Sequence, residues 1–180
     1  MSTEEKAFEP KTKLGKAIAS IGMLMEVDFV EWQEQAKSND REIRLFRASC
    51  RRLSDGNNAG QKVFGVRLDF VQHGDITWIR YIDAVEIEGL LLALDRMSQR
   101  YEQEFRSGFP GLGQGRTREL FFRTTDGIVV RFAKPVTKDR EFSLEIDGIP
   151  EALTTLQVGE VSKIQEALED FMERFKQDSN

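Results

Sequence analysis

The residue types that carry most enzyme chemistry are scarce in this chain of 180 residues, which has one cysteine, Cys50, and one histidine, His73. Zinc commonly takes four ligands from Cys and His, and two such residues cannot supply them, so no metal site is predicted. Cys50 precedes Arg51 and Arg52, cations of the kind that depress a thiol pKa. The reading preferred is a small residue at a strand end. Serine or cysteine nucleophiles would have to rely on His73, which sits in "VQHGD" and reads as a solvated turn residue. Asp83, Glu86 and Glu88 of "DAVEIE" could pair for acid–base work, but helix capping and a solvated face account for them. No motif points to an enzyme or to a cofactor.

One stretch invites a phosphate-binding reading: "GFPGLGQGR", residues 108–116, with four glycines in nine positions. Phosphate loops follow a strand and open a helix, because the helix N-terminus and its N–H groups meet the anion. This stretch follows a predicted helix and precedes a strand, and it lacks the Gly-Lys-Ser/Thr of a P-loop. It is expected to be a linker, with Gly108 ending the helix and Pro110 preventing its resumption.

The elements around it come from periodicity. Residues 1–13 are polar and expected to be a disordered tail. Residues 14–34 hold an apolar stretch that does not decide between helix and strand. Its core, "AIASIGMLM", follows Lys11, Lys13 and Lys16 but is short, and Glu26 and Asp28 come next, so a signal peptide is rejected. No run approaches the roughly 18–20 apolar residues of a membrane helix. Strands are predicted over 42–53, 61–72 and 76–82, where alternation puts Phe64, Val66, Leu68 and Phe70 on one face. Ile87, Leu90, Leu94, Met97 and Tyr101 then recur at helical spacing, so a helix runs from 84 to about 106, with Asp83 as cap and Glu86 completing a capping box. After the glycines, "TRELFFRTT" and "GIVVRFAKP" form a hairpin across Asp126-Gly127. "REFSLEIDG" and "ALTTLQV" add strands, and Val161, Ile164, Leu168, Phe171 and Phe175 mark a last helix.

The two helices superpose at an offset of 74: residues 84–103 lie over 158–177 with five of 20 positions identical, among them Leu94/Leu168 and Arg100/Arg174. The expected fold class is therefore α+β, two repeated units of antiparallel strands followed by an amphipathic helix. The units span 14–106 and 117–180, joined by the linker 107–116, and together make one compact domain.

Net charge is −5, yet its distribution is uneven. Residues 41–82 and 116–140 are each net +4, and 12 of their 15 basic residues are arginine, while residues 141–180 are net −7. Several arginines alternate with aromatic or apolar residues, as in "RLFR", "WIRY", "LFFR" and "VVRF". Arginine and aromatic rings together hold single-stranded nucleic acid through phosphate contacts and base stacking. The expected face comprises Arg44, Arg47, Arg67, Trp78, Arg80, Phe121, Arg123 and Arg131, and reversing Arg80 and Arg131 is expected to weaken binding. The competing expectation is a protein-interaction or self-assembly module, with a homo-oligomer as partner. The lone cysteine suits a reducing, cytoplasmic setting.

The element order, strands then helix, twice, resembles the Whirly proteins, the Pur-alpha repeats and the transcriptional coactivators of the positive-cofactor-four type. Over residues 42–177 the resemblance implies curved sheets, each before a helix, that pair to bind single-stranded DNA or RNA. The lysine-rich Whirly motif is absent, so no family binding residue is carried over. The segment "YIDAVEIEGLLLALDRM" is similar to one met in bacterial proteins, which implies a bacterial source.

Overall fold

Alternating and helical periodicities partition the chain much as they predict. The structure, a computed structural model, describes residues 9–20, 22–33, 36–38, 41–53, 60–106, 118–134 and 141–178. The glycine-rich linker lies outside these residues. In chain order the elements are α1 (Lys13–Ile18), β1 (Met25–Glu31), β2 (Ala36–Ser38), β3 (Arg41–Arg52), β4 (Val63–Gln72), β5 (Asp75–Asp83) and α2 (Ala84–Arg106). They continue with β6 (Arg118–Arg123), β7 (Ile128–Lys134), β8 (Glu141–Ile146), β9 (Ile149–Leu156) and α3 (Val158–Asp178).

The fold is α+β and consists of two sheet-plus-helix units. The first antiparallel sheet runs β1-β3-β4-β5, with β2 pairing the start of β3, and the second runs β6-β7-β8-β9. The hairpin turns repeat with the units. Gly74 and Gly148, separated by the offset that superposes the helices, take φ of 92° and 77° between β4 and β5 and between β8 and β9. Glycine occupies such left-handed positions without a Cβ clash. Residues 14–34, undecided from sequence, contain both a short helix and a strand.

The two sheets share one core. Ile43, Leu45, Val66, Leu68 and Ile82 of the first sheet join Val130, Phe132, Phe142 and Leu144 of the second, with the apolar stripes of both helices among them. Each helix reaches the other unit's sheet. On α2, Tyr101 packs against Phe132 and Phe142 of the second sheet, at ring-centroid distances of 6.1 and 5.6 Å. On α3, Phe171 meets Trp32 edge-on at 6.0 Å, and Phe175 meets Phe64 at 5.4 Å. The two units therefore bury their apolar faces in a common core.

The far side of the first sheet is covered by α1. Leu14 packs with Ala48, Cys50 and Tyr81 in a second, smaller core. It approaches so closely at Gly65 that a Cβ there would collide with the Ile82 carbonyl and with Leu14.

The expected tail is corrected at its described end. The backbone N–H groups of Lys11 and Thr12 donate to Asp126 at 2.6 and 3.0 Å, and the Thr12 hydroxyl does so at 3.0 Å. The Lys13 and Leu14 N–H groups donate to the Asp83 carboxylate at 2.8 and 2.9 Å. A polar composition does not leave a segment free when distant carboxylates accept its backbone donors. The strap so formed ties the β6–β7 turn of the second unit to the β5–α2 junction of the first.

Candidate binding faces

Strand alternation decides which side of a sheet each side chain occupies, and it divides the eight predicted residues among three places. Arg47, Trp78 and Arg80 fall on the inner face of the first sheet, beside Leu45, Phe70 and Ile82. Arg44 and Arg67 fall on its outer face. Phe121, Arg123 and Arg131 share the outer face of the second sheet, with Phe121 directly opposite Arg131. No single face holds all eight.

Arg80 is the most enclosed of the eight. It is only 5% exposed, and its guanidinium donates to the Ile79 carbonyl at 2.8 Å. Burial lowers its pKa, and the charge of Asp126 opposes that fall. A residue so enclosed supports the fold rather than meeting a polymer, so reversing its charge tests stability instead of binding. Trp78 packs partly against the core. Arg47 lines a groove between β1 and α3 with Trp32, Phe171 and Arg174, and lies 3.7 Å from Asp178.

Four predicted arginines on the outer faces lie beside carboxylates. Arg67 forms two bonds to Asp69, at 2.6 and 2.8 Å, and stacks over the rings of Phe29 and Phe46 at 4.9 and 5.3 Å. Such stacking on an aromatic face is itself stabilising. Arg44 bonds Glu42 at 2.7 Å, which raises its pKa. Arg131 is held between Glu119 and Glu145 at 2.8 and 2.7 Å, the Glu145 bond first among the causes that raise its pKa. Arg123 lies 3.4 Å from Asp147 on an exposed surface.

The charge balance of the sheets follows from the same pairing. Strand β1, unassigned in the sequence, brings Glu26, Asp28 and Glu31 alongside basic β3, and Glu26 bridges Arg51. The strands of the first sheet then carry eight basic and seven acidic residues, and those of the second carry four of each. The basic sheet expected from the segment charges becomes a near-neutral one.

The groups that could have carried chemistry have structural surroundings. Cys50 is buried, and burial raises its thiol pKa, away from the reactive thiolate. His73 occupies the β4–β5 turn with a φ of 53°. Glu86 does accept from the Asp83 N–H, at 3.2 Å, as in a capping box. It also takes the Thr125 N–H and hydroxyl at 2.7 and 2.8 Å. The Asp83 carboxylate is spent on the start of α1 instead of on α2. Among the described residues no three His, Cys, Asp or Glu side chains gather as metal ligands, and no helix is long and apolar enough to cross a membrane.

Sequence reasoning overlooked large apolar side chains exposed on β6, an edge strand among the described residues, and on α2. Phe121 is 62% exposed and Leu120 41%, and on α2 Val85 and Leu92 are 80% and 53% exposed. Val85 and Leu92 lie four residues before and three after Gly89, so the three share a helix face. A Cβ on Gly89 would sit 3.3 Å from the Phe122 ring, so this face adjoins β6. The signal was present in "LFFR", which reads as a strand without telling which side is covered.

Scans of protein-family models, of curated proteins and of solved structures each find no match to this chain.

Proposed function

We infer that the chain is a non-enzymatic protein-interaction module that works through its sheets, with self-assembly as its first activity. One observation carries this reading: the outward arginines Arg44, Arg67 and Arg131 are engaged by carboxylates, while the β6 edge and the neighbouring face of α2 expose large apolar side chains. Large apolar side chains left exposed at a sheet edge mark protein contact sites. Paired cations in a near-neutral sheet provide little of the counterion release that drives polynucleotide binding.

A second reading keeps single-stranded nucleic acid as ligand. It is favoured by the common outward face of Phe121, Arg123 and Arg131, and by the resemblance of the doubled sheet-and-helix order to that of Whirly and Pur-alpha proteins. Exposed ion pairs are worth only about 0–1 kcal/mol, so a phosphate could draw these arginines away.

Fluorescence anisotropy of a labelled mixed-sequence single-stranded oligonucleotide, at low and near-physiological salt, separates the readings when run beside sedimentation of the chain alone. The expected result is a concentration-dependent rise in mass, with oligonucleotide binding no tighter than the non-specific range of about 10⁻⁴ to 10⁻⁶ M. A chain that stays monomeric and binds the oligonucleotide at sub-micromolar affinity, losing it with salt, contradicts the assembly reading.

A further inference from the structure

We propose that two copies of this chain pair through β6, edge to edge and antiparallel about a two-fold axis at Phe121, joining their second sheets into one eight-stranded sheet. The proposal rests on the reading of the sheets as assembly surfaces and names both the surface and the partner. A two-fold contact requires a self-complementary patch, and the free edges of this fold differ in that respect.

Symmetry fixes the register. A two-fold perpendicular to the sheet keeps both outer faces on the same side, so outward residues oppose outward residues. Glu119, Phe121 and Arg123 point outward on β6. With Phe121 on the axis, Glu119 lies opposite the partner's Arg123 at one end, and Arg123 lies opposite the partner's Glu119 at the other. Leu120 then faces the partner's Phe122 on the inner side. Sliding the axis to Leu120 sets Glu119 against the partner's Phe121, and sliding it to Phe122 sets Phe121 against the partner's Arg123. Both slips lose the charge match. Opposite charges across strands stabilise a pair and like charges destabilise it.

The other edges left open among the described residues offer no such match. Strand β1 carries Glu26, Asp28 and Glu31 and no cation, an acidic edge of the kind that blocks self-pairing. A β5 edge centred on Ile79 would set Asp75 against the partner's Asp83. Strand β9 lies against β2. On β6 the described residues show a strand paired on one side only. Beside it α2 presents Val85 and Leu92, and the two-fold brings these helices together as an apolar flank. Phe121, the most exposed aromatic ring among the described residues, fills the centre, where aromatic anchors contribute most to an interface.

A charge-swap cycle read by sedimentation equilibrium tests the pairing. Glu119→Arg alone or Arg123→Glu alone places like charges opposite one another twice per dimer, and each should weaken dimerisation at least about tenfold. The double variant E119R/R123E restores opposite charges across the axis and should return to within about threefold of wild type. Within one copy the swap sets a cation at position 119 beside Arg131 and a carboxylate at position 123 beside Asp147, so recovery cannot come from intramolecular pairs. Leu92→Lys, at an exposed helix position, should also weaken association with no loss of helix by circular dichroism. If wild type associates but neither the charge variants nor Leu92→Lys alters its affinity, the β6 pairing is wrong while the assembly reading survives. A wild type that stays monomeric into the hundreds of micromolar overturns both.

Discussion

Replacing Phe142 by alanine should cost about 3–5 kcal/mol of stability, the range for removing a buried phenylalanine from a packed core. Phe142 is 1% exposed. Its ring lies 4.9 Å from that of Phe132 and 5.6 Å from that of Tyr101, so the vacated space would be ringed by aromatics too stiff to close it. Tyr101 belongs to the helix that follows the first sheet, and Phe142 belongs to the second sheet. The loss is therefore shared by both units. Urea denaturation followed by far-UV circular dichroism should show one transition with a lower midpoint and an unchanged slope, and Tm should fall by roughly 6–20 °C for a chain of this size. A two-step transition, with one unit unfolding while the other persists, would show that the two units do not share one core.

The second large effect is expected at the strap. Asp126→Ala should cost about 3–5 kcal/mol, the range for removing one partner from a buried charged network. Asp126 is buried and accepts two backbone N–H groups and the Thr12 hydroxyl. Its charge also acts on the buried Arg80 guanidinium. Alanine leaves those donors inside the protein without their acceptor, a cost larger than the net worth of the bonds themselves. Asp126→Asn keeps the volume and one acceptor oxygen and should lose roughly half as much. Limited proteolysis locates the effect: residues 9–18 should be cut in the alanine variant before the sheets are. A variant with near-wild-type stability and an uncut strap would mean that α1 is held by Leu14 packing and the Asp83 bonds without need of Asp126.

Much of the architecture could be read from spacing. Strands expected at 42–53, 61–72 and 76–82 occupy 41–52, 63–72 and 75–83, and the helix that begins after Asp83 is found where its stripe puts it. Both stripes are buried because helical spacing depends only on local geometry. The glycines at 74 and 148 extend the repeat beyond the helices. What periodicity could not give was sidedness. In "ITWIRYI" both faces are largely apolar, and only the packed partner decides that Trp78 and Arg80 point inward while Ile79 and Tyr81 meet α1. Strand β1 does alternate, as Met25, Val27 and Phe29 against Glu26 and Asp28, but it follows the short α1 within one apolar stretch. The two periods blur each other there. Leaving it unassigned removed three carboxylates from the surroundings of β3 and made the sheet look basic. The strap was invisible for another reason: its bonds join residues more than 60 positions apart, and no local pattern records them.

Assembly through β6 can be read residue by residue from amide hydrogen exchange of the wild-type chain at low and at high protein concentration. Pairing buries backbone N–H groups of the edge strand in new hydrogen bonds, so residues 118–123 should exchange markedly more slowly when concentrated, while the acidic edge at residues 25–31 should exchange alike in both. Equal exchange of β6 at the two concentrations, or protection that arises at β1 instead, would rule out the β6 dimer.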